Sequence, residues 1–268
     1  MVDAVGQSFT PEWPPVNATP TAPRRRNGWK IGLFGLCATI AAGAVTVQID
    51  PGLLESTSYA GTSSIERDPE FRDPRLMEAA QRQPVAIAYA RAPYEFQRNQ
   101  SLCGPTSVAD VLHSLGDPRS QESLLAAAPH VTLFGYIPGG LTLDEEAELM
   151  RRAVQRPVAM LRDLTLEQFR VEMRAVNDPG LRYVVNFHRG PLFGRGHGHF
   201  SPLLAYLPTE DLVLVGDVNA NYRPFLVSTY RLYRAVDTVD TATGKKRGLL
   251  RMSAELPGQV HRADKERL

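Results

Sequence analysis

Apolar positions recur at helical spacing through Val108, Val111, Leu112 and Leu115, which predicts a helix that buries one face. Pro105 suits its first turn, where a missing N–H costs nothing, and Gly116 suits the residue just past its end. Two capping boxes come next, Thr142 with Glu145 and Thr165 with Gln168, opening helices expected to reach about residues 156 and 177. Shorter helices are expected over 75–82, 122–128 and 230–236. The period then changes. Residues 183–187, 200–207 and 212–218 are β-rich runs that read as strands, the last apolar on both faces and therefore inside a sheet. Residues 248–252 read as a final strand and 85–89 as a first one. Helices leading into an antiparallel sheet indicate an α+β domain.

The ends carry other patterns. Residues 1–28, rich in Pro, Thr and Ala without apolar periodicity, read as disordered. Arg24-Arg25-Arg26 and Lys30 precede an uncharged run over 31–47, so residues 29–48 are expected to be an export signal or a single N-terminal membrane segment. Ala42-Gly43-Ala44 offers a small-residue cleavage site. With the positive flank inside, the chain beyond residue 48 is expected on the extracytoplasmic, periplasmic face. Residues 49–84, with Asp68-Pro69 and Asp73-Pro74, read as a linker ending in a short surface helix; 85–254 reads as the main folded domain and 255–268 as a charged tail.

Composition narrows the classes. A net charge of +1 over 268 residues gives no global field for nucleic acid, and no repeat period is visible. Of the two cysteines, Cys37 lies in the apolar run, which leaves Cys103 without an internal disulfide partner.

Cys103 sits where a loop enters the predicted helix, and the unpaired N–H groups at that positive helix end favour a thiolate. The alternative is a small buried hydrophobe. A turn at Pro208-Thr209-Glu210 would set opposite positions of a hairpin to sum to about 416, placing His199 across from Asp217. An imidazole held by a buried carboxylate is the base and orienter of a nucleophilic triad; a structural pair is the alternative. His197, in the flexible Gly194-Arg195-Gly196-His197-Gly198, is the rival base. His188, His197 and His199 alternate as chelating residues can, yet no carboxylate or thiol stands at a recognised ligand spacing, so no metal site is assigned. Gln97, six positions before Cys103, is placed to donate to a developing oxyanion beside the Cys103 N–H, with Gln100 as competitor. Cysteine at a helix start, histidine opening one strand and aspartate closing the next is the layout of a papain-like cysteine enzyme.

Ordered stretches across about residues 85–252 also carry a family resemblance. They are Gln97-Arg-Asn-Gln-Ser-Leu-Cys103-Gly, Phe187-His-Arg189-Gly190, Gly198-His199-Phe-Ser-Pro202, Gly216-Asp217-Val218, Ala235-Val-Asp237 and Asp240-Thr-Ala-Thr-Gly-Lys-Lys-Arg247-Gly248. The chain resembles the phytochelatin synthases, the glutathione γ-glutamylcysteinyltransferases. That resemblance implies a papain-like fold with Cys103 as nucleophile, His199 as base, Asp217 as orienter and Gln97 at the oxyanion. It implies Arg189, Gly198 and Arg247 as substrate contacts, with Lys246 competing with Arg247. It further implies cleavage of the Cys–Gly bond of glutathione through a γ-glutamylcysteinyl thioester, passed to water or to a second glutathione. No tightly bound cofactor is implied; cadmium or zinc would arrive as glutathione thiolate complexes, and a homodimer is left open. Two departures stand out: Pro105-Thr106 comes directly after Cys-Gly, and the stretches that carry the resemblance do not extend into the cysteine-rich C-terminal half of the plant enzymes. Cys-Gly-Pro-Thr also resembles the cysteine peptidases that cut exported peptides after double glycine. A binder of thiol–metal complexes without turnover is the third reading.

Overall fold

Hydrophobic alternation along one sheet organises the structure, a computed structural model that describes residue 59 and residues 61–127, 135–154 and 156–254. The stretch 1–28, the segment 29–48 and the tail 255–268 lie outside the described residues. Among the described residues no helix is long and apolar enough to cross a membrane.

Six antiparallel strands, β1 (Val158–Arg162), β2 (Leu181–His188), β3 (Gly198–Leu207), β4 (Leu212–Val215), β5 (Phe225–Ser228) and β8 (Gly248–Ser253), lie in the order β1-β8-β2-β3-β4-β5. A short ribbon pairs β6 (Val239–Asp240) with β7 (Lys245–Lys246). Successive residues of a strand face opposite sides, and both sides here are apolar. Val184, Leu204 and Leu214 enter one core, while Val185, Leu203 and Val213 enter the other. The first core is closed by α1 (Pro74–Gln81), α2 (Pro84–Ala90), α3 (Cys103–His113), α4 (Gln121–Ala127) and α5 (Leu143–Val154). The second is closed by α6 (Leu166–Ala175), the single turn α7 (Gly190–Phe193) and α8 (Thr229–Val236). Helices therefore cover both faces. Each fully buried Leu, Val or Phe contributes about 1.5–3 kcal/mol to closing these layers.

The α+β class and the antiparallel sheet hold, with local corrections. Residues 85–89, expected as a strand, form most of α2. Pro84 occupies the first turn, and Val85, Ala86 and Tyr89 bury one helical face; an apolar run of five has too little length for its period to decide. The strand expected over 212–218 stops at Val215, and β1 and β5 were not anticipated. The expected linker belongs to the folded unit over its described part. Ile65 and Phe71 are buried, and the Leu226 N–H of β5 donates to the Phe71 carbonyl at 3.0 Å. Both capping boxes form: the Thr142 N–H donates to Glu145 at 2.8 Å and the Thr165 N–H to Gln168 at 2.8 Å. Their helices end earlier than expected, at Val154 and Ala175.

Candidate active site

Helix α3 is buried along its whole length, and Cys103 is its first residue, 6% exposed. Two hydroxyls tie down the turn: Thr106 Oγ1 donates to the Leu102 carbonyl and Ser107 Oγ to the Cys103 carbonyl, both at 2.7 Å. Burial pushes the Cys103 thiol up to about 11, against the Phe200 N–H directed at the sulfur. The Glu146 carboxyl adds to the rise, while the Arg189 charge and the Gly104 N–H oppose it. The expectation that the helix end would yield a resting thiolate is thus corrected. Desolvation exceeds the help of the Phe200 and Gly104 N–H groups and the Arg189 charge, and the sulfur needs a base to take its proton.

The candidate base, His199, is one residue from the Phe200 N–H. His199 Nε2 lies 3.1 Å from Asp217 Oδ1, with both side chains buried. Asp217 Oδ1 also accepts from the Asn219 N–H at 2.8 Å and from Arg189 Nη2 at 2.8 Å, and Nη2 is 2.7 Å from Oδ2. Burial alone would raise the Asp217 carboxyl; the Arg189 and His199 charges beside it carry it down to about 2. A carboxylate only accepts, so Nε2 holds the ring proton and Nδ1 keeps the basic lone pair. Burial first, and then the Arg189 charge, hold His199 below its ordinary value despite Asp217. The resting ring is neutral, as a general base must be.

The hairpin joins the expected residues in a different register. Leu207 pairs with Leu212 and Ala205 with Leu214, and an irregularity between Leu203 and Ala205 shifts the pairing to Leu203 with Val215. Asp217 lies past the end of the ladder and reaches His199 with its side chain, instead of facing it across two strands.

Arg189 and Arg247 have other first partners than the resemblance implies. Arg189 is spent on Asp217, its guanidinium 3.7 Å over the Tyr222 ring, while Nη1 makes no hydrogen bond. Arg247 donates to Thr238 Oγ1 at 3.3 Å and to the Val239 carbonyl at 2.6 Å. Its guanidinium fills the space beside Gly198, where a Cβ would come within 2.8 Å of Nη2. Gln97 is anchored by its N–H to the Val218 carbonyl at 2.8 Å, next to Asp217, and its Nε2 donates to the Asn99 carbonyl at 3.0 Å. Gln100 is exposed, as is His197. His188 Nδ1 accepts from the Gly190 N–H at 3.0 Å. Among the described residues, no group of three or more His, Cys, Asp or Glu side chains could hold a metal. A cavity of about 810 Å³ lined by Tyr59, His188, Tyr230, Arg231 and Arg234 includes none of Cys103, His199 or Asp217.

The family model for phytochelatin synthase matches residues 72–249, well over half of the chain and every residue of this site. The chain belongs to the phytochelatin synthase family. Among curated phytochelatin synthase relatives it is 29% identical over 173 residues to glutathione gamma-glutamylcysteinyltransferase 1 of Triticum aestivum, covering 60% of this chain and 34% of that protein. It is 33% identical over 91 residues to glutathione gamma-glutamylcysteinyltransferase 1 of Arabidopsis thaliana, covering 33% of this chain and 19% of that one. The chain spans about a third or less of the length of these relatives. Among solved structures, the peptidase domain of Streptococcus ComA is 16% identical at a TM-score of 0.42, covering 61% of this chain and all of that domain. A C39-like peptidase from Bacillus anthracis is 13% identical at a TM-score of 0.43, covering 60% and 94%.

One buried side chain beside Cys103 was not anticipated. Glu146 is fully buried against Gly104, the residue after Cys103. The signal was in the chain. Leu143, Glu146, Ala147, Met150 and Val154 keep the helical period of the buried face of α5, and one of them is an acid.

Proposed function

We propose that this chain is a cysteine acyltransferase and hydrolase acting on glutathione. The observation that supports this most is the buried His199–Asp217 pair, with His199 on the strand whose Phe200 N–H is directed at the Cys103 sulfur, in a chain of this family. In this reading His199 Nδ1 takes the thiol proton and Cys103 Sγ attacks the carbonyl of the Cys–Gly bond. The oxyanion is received by the Cys103 N–H and by the Gln97 amide, which turns away from the Asn99 carbonyl to do so. The imidazolium then protonates the leaving glycine nitrogen, the C–N bond breaks, and a γ-glutamylcysteinyl thioester remains on Cys103. Water releases γ-glutamylcysteine; the amine of a second glutathione yields a phytochelatin.

Arg247, against Gly198 and so beside the base, is the guanidinium we assign to a substrate carboxylate. Cadmium or zinc belongs to the substrate, as glutathione thiolates, with no cofactor held by the protein. Residues 29–48 are read as the segment that directs this domain to the extracytoplasmic face, supported by the Arg24–Arg26 cluster before the apolar run. The test is to incubate the full chain with glutathione, with and without cadmium, and identify the products by mass spectrometry. Glycine with γ-glutamylcysteine or its oligomers is the expected outcome. Undiminished glycine release from Cys103→Ala would overturn the assignment.

A further inference from the structure

Glu146 takes no part in the mechanism above, yet its position is unusual. Its side chain leaves α5, is wholly buried, and ends against the first turn of α3, where a Cβ on Gly104 would stand 2.3 Å from Oε2 and 3.1 Å from Leu141. Among the described residues neither carboxyl oxygen has a hydrogen-bond partner. A glycine thus stands directly after the nucleophile where an acid needs the room.

We propose that Glu146 is a positioning residue for the nucleophile: its carboxyl shares the first turn of α3 with the Cys103 sulfur, so that carboxylate and thiolate exclude each other and the enzyme works with Glu146 as the neutral acid. The inference rests on reading Cys103 as the nucleophile and is independent of which acyl donor it attacks. Two anions within one dry helix start repel, and among the described residues no cation is paired with the Glu146 carboxyl. From α3, the ionisable group facing Glu146 is Cys103; Asp110 and His113 lie further along the same helix, more than one turn away. Arg162 of β1 is bound to Asp144, and Arg251 of β8 to Glu172. On α5 itself, Glu145 turns to Thr142 and Arg152 to Glu148. Arg189, on the sheet side of the sulfur, is held by Asp217. Burial accordingly raises the Glu146 carboxyl to about 8, which keeps it neutral at pH 7. Above that range its charge opposes the thiolate.

The readout is the rate at which iodoacetamide alkylates Cys103 in the full chain, monitored by peptide-resolved mass spectrometry so that Cys37 does not interfere. Wild type, Glu146→Gln and Glu146→Met are compared between about pH 6.5 and 9.5. A one-unit coupling makes the variants react about tenfold faster at the alkaline end and equally fast at the acid end. Wild type alone should bend below unit slope in log rate against pH as Glu146 ionises. A ratio that stays constant with pH, or a straight unit slope in wild type, overturns the proposal; a merely structural acid would give either. Because glutathione is absent, glycine release can fail while the alkylation profile still bends, which separates this inference from the proposed activity.

Discussion

Replacing Arg189 by Met keeps a stem of similar length over Tyr222 and removes the charge that faces Asp217. In the wild type, Nη2 stands 2.8 and 2.7 Å from the two carboxylate oxygens, and both side chains are buried. Breaking a buried pair from one side costs about 3–5 kcal/mol, because the remaining charge is stranded. Here the Asn219 N–H and His199 Nε2 still serve Asp217, so the lower part of that range applies, with about 1 kcal/mol more for the lost cation–π contact. We expect a loss of about 4 kcal/mol in urea unfolding at pH 7. The pH dependence carries a sign. Asp217 is depressed to about 2, so its stabilisation is present above the ordinary carboxylate range and disappears as pH falls through that value. The gap between wild type and variant therefore narrows from pH 4 downwards. The double variant Arg189→Met/Asp217→Asn should lose at least 2 kcal/mol less than the two single losses added. If Arg189→Met unfolds like wild type and only raises KM for glutathione, Arg189 holds a substrate carboxylate and the pairing argument fails.

The geometry sets three further outcomes. His199 is held below its ordinary value, so the acid limb of kcat/KM should fall below pH 6.5, and Arg189→Met should move it upward by removing a repelling charge; glycine release against pH measures both. Gln97→Ala should lower kcat by about 10²–10³ with unfolding unchanged, provided its amide reaches the oxyanion; an unaltered kcat would return the role to the backbone N–H alone. Gly104→Ala drives a Cβ to 2.3 Å from Glu146 Oε2 and should destabilise by about 1–3 kcal/mol. Adding Glu146→Ala should recover most of that loss, and a double variant no better than Gly104→Ala would show that the clash lies elsewhere.

How much of this was legible in the chain differs with the range of the physics. The nucleophile helix could be read because its signals are local: an apolar period, a proline in the first turn and a glycine past the end. The capping boxes were legible for the same reason. The His199–Asp217 pair was found by a hairpin argument whose register was wrong by two to three positions, since an irregularity between Leu203 and Ala205 leaves no mark in the pattern. Residues 85–89 were misread because five apolar residues fit either period, and only Pro84 pointed to a helix. The pairing of Arg189 with Asp217 was not legible, because it joins residues 28 positions apart through side chains alone; the family resemblance names Arg189 only as a substrate contact.

The ionisation of the site is the least local property, and it decides the mechanism. The sequence placed a sulfur at a positive helix end and so favoured a thiolate, but the helix is buried along its length and desolvation reverses that preference. In the proposed mechanism the proton leaves through His199, which burial first and the Arg189 charge second keep neutral, while Arg189 holds Asp217 charged. One guanidinium thus acts on both members of the pair. The loop before the nucleophile is bound to the same corner, with the Gln97 N–H on the Val218 carbonyl and the Tyr94 hydroxyl on the Gly216 carbonyl. The helical and sheet halves are therefore fastened on either side of Asp217, so a change that loosens this corner should weaken stability and proton transfer together, and one that spares it should separate the two.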